Sequence, residues 1–204
     1  SDSQGNHATG SSTDVTWATS NATGTGYASF NGPSSFIQIP DPAVLGGDTW
    51  TISMWINTSS GSGRQDFFSQ WYVDTGDWAS IGLGLDNGLL TAYFRGNTTG
   101  SVSSITGPNV ATGGWKLVTL VKESDRVVLY VNNAEVGNQS FNGSIDSASD
   151  VILGVWDGLV LGHAKDHWFE GGIFGLRLYS VALSATEIAN MYTNTKLSVP
   201  CLLY

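Results

Sequence analysis

The 204-residue chain has a single cysteine, Cys201, so no internal disulfide forms and the fold rests on burial and hydrogen bonding alone. Charge is equally scarce: 12% of residues are charged, with eight Lys and Arg against 17 Asp and Glu, a formal net charge of −9. The basic residues never cluster, and a polyanion would be repelled, so nucleic acid is excluded as a partner. No apolar run approaches the roughly 18 residues that a membrane-spanning helix needs. The chain opens on SDSQGNHATG rather than on a basic and apolar leader, so any leader is expected to be removed or to lie outside this chain.

Apolar material is plentiful. Hydrophobic residues make up 41% of the chain and eight are Trp, enough for one large core, and the length fits one domain. With few charges, the surface must be built from Ser, Thr, Asn, Gln and Gly. The 26 glycines and the Asn-Gly and Asp-Gly pairs supply turns. Asn-x-Ser/Thr sequons occur at Asn21, Asn57, Asn97, Asn138 and Asn142, which points to an extracellular glycoprotein; the alternative is an unmodified protein with a polar surface.

Short runs rich in β-branched and aromatic residues recur between turn residues: YASFNG, SFIQIP, TWTISMWIN, DFFSQWYV, WASIGLGLD, GLLTAYFRG, WKLVTLVKE, RVVLYVNN, DVILGVWDG, LVLGHA and FGLRLYS. In WASIGLGLD, Ile81, Leu83 and Leu85 alternate with Ser80, Gly82 and Gly84, the pattern of a half-buried strand. Asp86-Asn87-Gly88 turns it into the next strand as a hairpin. A second hairpin turns at Ser124-Asp125. Its first strand is apolar on both faces, with Leu117, Thr119 and Val121 on one and Val118 and Leu120 on the other, so it is expected to be central. One helix is expected, N-capped by Ser184 with Glu187 closing a capping box, and running to about Tyr192. Trp17, Trp50, Trp55 and Trp115 are assigned to the core.

In order, the loop DSQGNHATGS, the pair YASFNGPSSFIQIP, the strand TWTISMWIN, the hairpin GGWKLVTLVKESDRVVLYVNNAEV and the closing run FEGGIFGLRLYSVALSATEIANMY resemble the laminin-G-like family of the concanavalin A-like lectin and glucanase superfamily. The resemblance implies an all-β fold, a two-sheet antiparallel jelly-roll sandwich with one short C-terminal helix, and a role in binding carbohydrate or protein outside the cell. It also implies calcium as an occasional ion. Here Phe174 and Gly175 follow Gly171-Gly172-Ile173 where the family often has an acidic residue, and Asn31 stands at the second acidic position. No cofactor is certain, calcium stays open as a candidate, and the metal ligands are unassigned.

The family normally begins with an apolar strand before the loop at which this chain starts. LSVPCLLY at the far end has that character, with Leu197, Val199, Cys201 and Leu203 on one face and Leu202 beside them. Residues 1–195 are taken as the domain and 196–204 as this strand. It is expected to be donated to a neighbouring subunit, building a head-to-tail homopolymer, or to fold back on its own domain. A tandem array and an unstructured end remain open. Pro200, which has no amide hydrogen, limits the segment to an edge or a bulged pairing.

Catalysis is not expected. The E-x-D-x-x-E arrangement of the superfamily's retaining glucanases is absent, and Asp74, Asp77, Glu123, Asp125, Glu135, Asp146 and Asp150 read as solvated turn or loop carboxylates. HAKDH (His163 to His167) has the two-histidine spacing of zinc proteases, with Ala164 in place of the catalytic Glu and no helix to carry it. Cys201 reads as a buried thiol. A sugar site needs an aromatic platform with polar groups at its rim. Two regions offer both: Trp71, Tyr72 and Trp78 with Asp74 and Asp77, and Trp156 and Trp168 with Asp157, His163, Asp166 and His167. The leading expectation is a noncatalytic extracellular adhesive or structural module; the alternative is a monomeric carbohydrate-binding domain.

Overall fold

The computed structural model describes residues 10–19, 26–42, 44–74, 77–96, 102–145, 149–156 and 164–196, without the side chains of 72–74, 77–80 and 196. Asn21, Asn97, Leu197, Val199, Cys201, Leu202 and Leu203 lie outside these residues, as do Asp146, Asp157, His163 and most of LVLGHA. Fourteen strands and one helix are described: β1 Ser11–Thr13, β2 Thr16–Thr19, β3 Gly26–Asn31, β4 Phe36–Ile39, β5 Trp50–Asn57, β6 Arg64–Asp74, β7 Asp77–Asp86, β8 Leu89–Arg95, β9 Ser103–Asn109, β10 Lys116–Lys122, β11 Arg126–Val131, β12 Ala134–Ser140, β13 Val151–Leu153, β14 Glu170–Tyr179 and α1 Ala185–Lys196.

They form two seven-stranded sheets with antiparallel pairing, ordered β1-β4-β13-β6-β7-β8-β9 and β12-β11-β10-β5-β14-β3-β2. The fold is therefore the expected all-β sandwich. Strand alternation fills the space between the sheets: Trp50, Ile52, Met54 and Ile56 of β5 and Val118 and Leu120 of β10 meet Phe67, Phe68, Ile81, Leu83, Leu85, Leu90 and Phe94 of the first sheet, all at most 1% exposed. β10 pairs with β5 on one side and β11 on the other, and both its faces are buried, as its double apolar pattern requires. At the hairpin between β7 and β8, Asn87 (φ 49°) and Gly88 (φ 85°) both take the left-handed conformation, the geometry that favours Asn-Gly in two-residue turns.

The helix starts as the capping box requires. Ser184 N donates to Glu187 Oε2 at 2.8 Å, and Glu187 N donates back to Ser184 Oγ at 3.3 Å. It continues to Lys196, beyond the expected end at Tyr192, because its last turns still find partners on the outer face of the second sheet: Tyr192 stacks on Trp55 at 5.7 Å, and Trp55 Nε1 donates to Thr195 Oγ1 at 3.0 Å. Ile188 packs against Val121, Val128 and Tyr130.

Three expectations need correction. Trp17 is 68% exposed rather than in the core, because it stands on β2, the edge of the second sheet, with no strand beyond it among the described residues. Trp115 is half-buried on the outer face of that sheet, with its ring against Tyr27 and Phe174, because its parity matches Leu117 and not the core-facing Val118. Finally, β7 is not half-buried. Residues 81–85 are all buried, since β6 and β8 send side chains over its glycine positions.

Candidate functional site

The second face of β7 is where the candidate site is built. With Ile81, Leu83 and Leu85 in the core, Gly82 and Gly84 face outward and present bare backbone. Tyr93 of β8 lies over Gly82 so closely that a Cβ there would sit 1.8 Å from Tyr93 Cζ. Asp66 of β6, paired with Gly84, fills the second gap: a Cβ at Gly84 would meet Asp66 Oδ1 at 2.2 Å. Two absent side chains thus make room for a phenol and a carboxylate on an otherwise smooth sheet face.

Around them the outer face closes into a ring of side chains. Asp66, fully buried, is 3.2 Å from His167 Nδ1 through Oδ2 and 3.5 Å from Arg64 Nε through Oδ1. The Arg64 guanidinium stands 4.5 Å over the Tyr93 ring. Tyr93 meets Trp71 at 6.4 Å, Trp71 meets Trp156 edge-on at 5.5 Å and 82°, and Trp156 meets His167 at 5.5 Å. His167 returns the circuit to Asp66. Its backbone is held in the left-handed region, φ 56°, by its own carbonyl, which accepts from Asp66 N at 2.8 Å, and by its amide, which donates to Asp166 Oδ1 at 2.7 Å. Paired backbone hydrogen bonds between Trp156 and Asp166 set Trp156 beside His167.

The electrostatics follow from this geometry. Burial raises the Tyr93 phenol well above its ordinary pKa, and the neighbouring Asp66 carboxylate raises it further, so Tyr93 is neutral. Burial works to lower the Arg64 pKa, but Asp66 and Tyr93 outweigh it and the net shift is upward. Asp66 Oδ1 and the Tyr93 hydroxyl are both buried and make no hydrogen bond of good geometry among the described residues. Access is graded: Trp71 is 9% exposed, whereas the Arg64 and His167 side chains are 40% and 32% exposed and Trp156 is half-buried. A ligand would therefore touch Trp156, Arg64 and His167, with Asp66, Tyr93 and Trp71 holding them from beneath.

Of the sequence candidates, Trp71, Trp156 and His167 come together here. Trp168 lies apart from this circuit, half-buried against Phe36 at 6.5 Å, with the Lys165 ammonium 4.6 Å over the same Phe36 ring. Tyr72 and Trp78 stand in β6 and β7, their side chains outside the described residues. Asp166 is exposed, with Oδ2 4.0 Å from His167 Nε2. No helix is present over Ala164 to Trp168, and among the described residues no three His, Cys, Asp or Glu side chains are placed to hold a metal. Sequence reading missed Arg64, Asp66 and Tyr93. The signal was available in the alternation Arg64-x-Asp66 beside Gly82-x-Gly84, with Asp66 paired to Gly84 and Tyr93 paired to Gly82.

By sequence, residues 30–189 match the model of the concanavalin A-like lectin/glucanases superfamily of laminin-G type, and no curated protein matches the chain. By structure, the chain is similar to the receptor binding domain of the botulinum neurotoxin C/D mosaic serotype (TM-score 0.74, 13% identity), covering 98% of this chain and 51% of that one. It is also similar to domain 4 of AbnA, an extracellular arabinanase of Geobacillus stearothermophilus solved with arabinotriose (TM-score 0.71, 20% identity, 94% of this chain and 91% of that one). A botulinum neurotoxin type C structure, described as entering cells through two ganglioside molecules, aligns with TM-score 0.70 at 13% identity over 95% of this chain and 48% of that one. The chain thus spans about half the length of the toxin domains it matches. At these identities the structural likeness speaks for the fold alone, but the sequence match extends over most of the chain, from the core strand β3 into α1, and on that ground the chain belongs to the concanavalin A-like lectin/glucanases superfamily.

Proposed function

We propose that the chain is a noncatalytic, extracellular carbohydrate-binding module that holds sugars on the outer face of its first sheet. The observation that carries this is the closed circuit of Asp66, His167, Trp156, Trp71, Tyr93 and Arg64. Sugar rings present apolar C–H faces and hydroxyl edges. A half-exposed indole stacks with the first, while a guanidinium at its margin donates hydrogen bonds to the second and the outer imidazole nitrogen accepts from it. Asp66 hydrogen-bonds His167 Nδ1 through Oδ2 and forms an ion pair with Arg64 through Oδ1, and so holds both side chains in place before any ligand arrives, which lowers the ordering cost of binding.

The arabinotriose of the arabinanase domain and the gangliosides of the type C toxin support a sugar as the ligand class. Binding without hydrolysis is favoured by the use of Asp66: glycoside hydrolysis needs a pair of carboxyl groups flanking one bond, and the carboxylate inside this circuit is engaged by His167 and Arg64. Among the described residues no helix is long and apolar enough to cross a membrane. Head-to-tail assembly through residues 197–204 is carried by no described residue and forms no part of this reading.

The test is a screen of the full chain against immobilised neutral and sialylated oligosaccharides, alongside W156A and D66N. The reading expects a glycan class bound by the wild type and lost in W156A, with no fragment released over long incubation. Fragment release that stops in D66N would replace it with an enzyme.

A further inference from the structure

The outer face of the second sheet carries an aromatic cluster that this sugar site does not use. Helix α1 covers the β11, β10 and β5 part of that face, ending with Tyr192 on Trp55. Beyond the helix, Tyr27, Trp115 and Phe174 stand half-buried, with Trp115 edge-on to Tyr27 at 5.3 Å and to Phe174 at 6.3 Å. The Trp115 indole lies against bare backbone at Gly172, where a Cβ would be 2.8 Å from Trp115 Cη2 and 3.1 Å from Tyr27 Cδ2.

Asn57 stands in this cluster's own row. Because Trp50, Ile52, Met54 and Ile56 point into the core, Thr51, Ser53, Trp55 and Asn57 point outward. Asn57 pairs with Gly172 on one flank; on the other, Lys116 pairs with Ile56, so that Trp115 comes beside Asn57. The side-chain amide of Asn57 makes no hydrogen bond among the described residues, whereas Asn138 Nδ2 donates to Glu135 Oε1 at 2.7 Å. The sequon Asn57-Thr58-Ser59 is completed by an exposed Ser59. Thr58 is buried and donates to the Glu170 carbonyl at 2.6 Å, which fixes the direction in which Asn57 leaves the strand.

We propose that Asn57 is N-glycosylated and that the first sugars of its own glycan lie on Tyr27, Trp115 and Phe174. In the reaction Asn57 Nδ2 forms a bond to C1 of a lipid-diphosphate-linked oligosaccharide, the C1–O bond to the diphosphate breaks, and one amide proton is lost. The transfer occurs on the chain before it folds. On folding, the apolar face of the first N-acetylhexosamine covers three half-buried rings that no other described element of the protein covers. The glycan thereby becomes part of the second sheet's outer layer, continuing the cover that α1 begins.

The experiment is to make the full chain in the secretory pathway of a eukaryotic cell, map occupancy at Asn57 by peptide mass spectrometry, and time enzymatic glycan release from the folded wild type and W115A. The expected result is an occupied Asn57 that W115A releases about tenfold faster, the ratio that ~1.4 kcal/mol of docking sets. Nuclear Overhauser contacts between the Trp115 ring and sugar protons in the wild type give the same reading without a variant. An unmodified Asn57, equal release rates, or a Trp115 ring without sugar contacts overturns the proposal. Because the two faces are separate, none of these outcomes bears on sugar binding at Trp156.

Discussion

At the residue scale, the candidate site depends on two side chains that are absent. Gly82 and Gly84 leave gaps that Tyr93 and Asp66 enter, so Gly82→Ala forces Tyr93 off β7 and disturbs Trp71 and Arg64 behind it. We expect that substitution to cost about 1–3 kcal/mol of stability, the usual range for overpacking, and to weaken glycan binding. Thermal unfolding with a parallel titration checks both; unchanged binding after Gly82→Ala would detach Tyr93 from the site. The sequence made Trp71, Trp156 and His167 visible as candidates because aromatic and imidazole groups near loops attract notice by type. It hid Asp66, because an acidic residue inside a strand reads as one more surface charge until the partner strand shows that the space above it is closed.

At the element scale, the runs that were legible were the interior strands, and the ones that escaped were β1, β2, β9 and β12. These four are the two edges of each sheet. An edge strand is covered less and needs few apolar residues, so SST, TWAT, SSITGPN and AEVGNQS look like loop sequence; Pro108 within β9 is tolerated because an edge leaves amides unpaired. The helix was legible from its capping box, and its length was not, because its last turns depend on Trp55, far away in sequence. Ser184→Ala should destabilise the protein by about 1 kcal/mol through loss of the cap. Hydrogen bonds from the Ser184 amide and hydroxyl hold the Glu187 carboxyl below its ordinary pKa. Its contribution is therefore fully present above the unfolded-state pKa and is lost as pH falls through the lowered folded value. Amide exchange in α1 should accelerate across that acid window in the wild type and show no such step in Glu187→Gln.

At the scale of the whole molecule, the two sheets share one core and differ in what lies outside it. The second sheet is roofed by α1 over Trp55, and the first is roofed by a circuit of charged and aromatic side chains around Asp66. The sandwich itself was legible from strand spacing and from the order of motifs that match the superfamily, whereas the choice of face was not, since the parity of Trp71 and Trp115 relative to the core becomes fixed only by register. Sugar binding at Trp156 on the first sheet is our proposal. It is tested most directly by calorimetric titration of the best glycan into the wild type, Trp156→Ala and Trp17→Ala, the last removing an indole that is 68% exposed on the opposite sheet. Trp156→Ala should lose about 2 kcal/mol, near 30-fold in Kd, and Trp17→Ala should lose nothing; full affinity in Trp156→Ala, or a loss confined to Trp17→Ala, would place the sugar elsewhere.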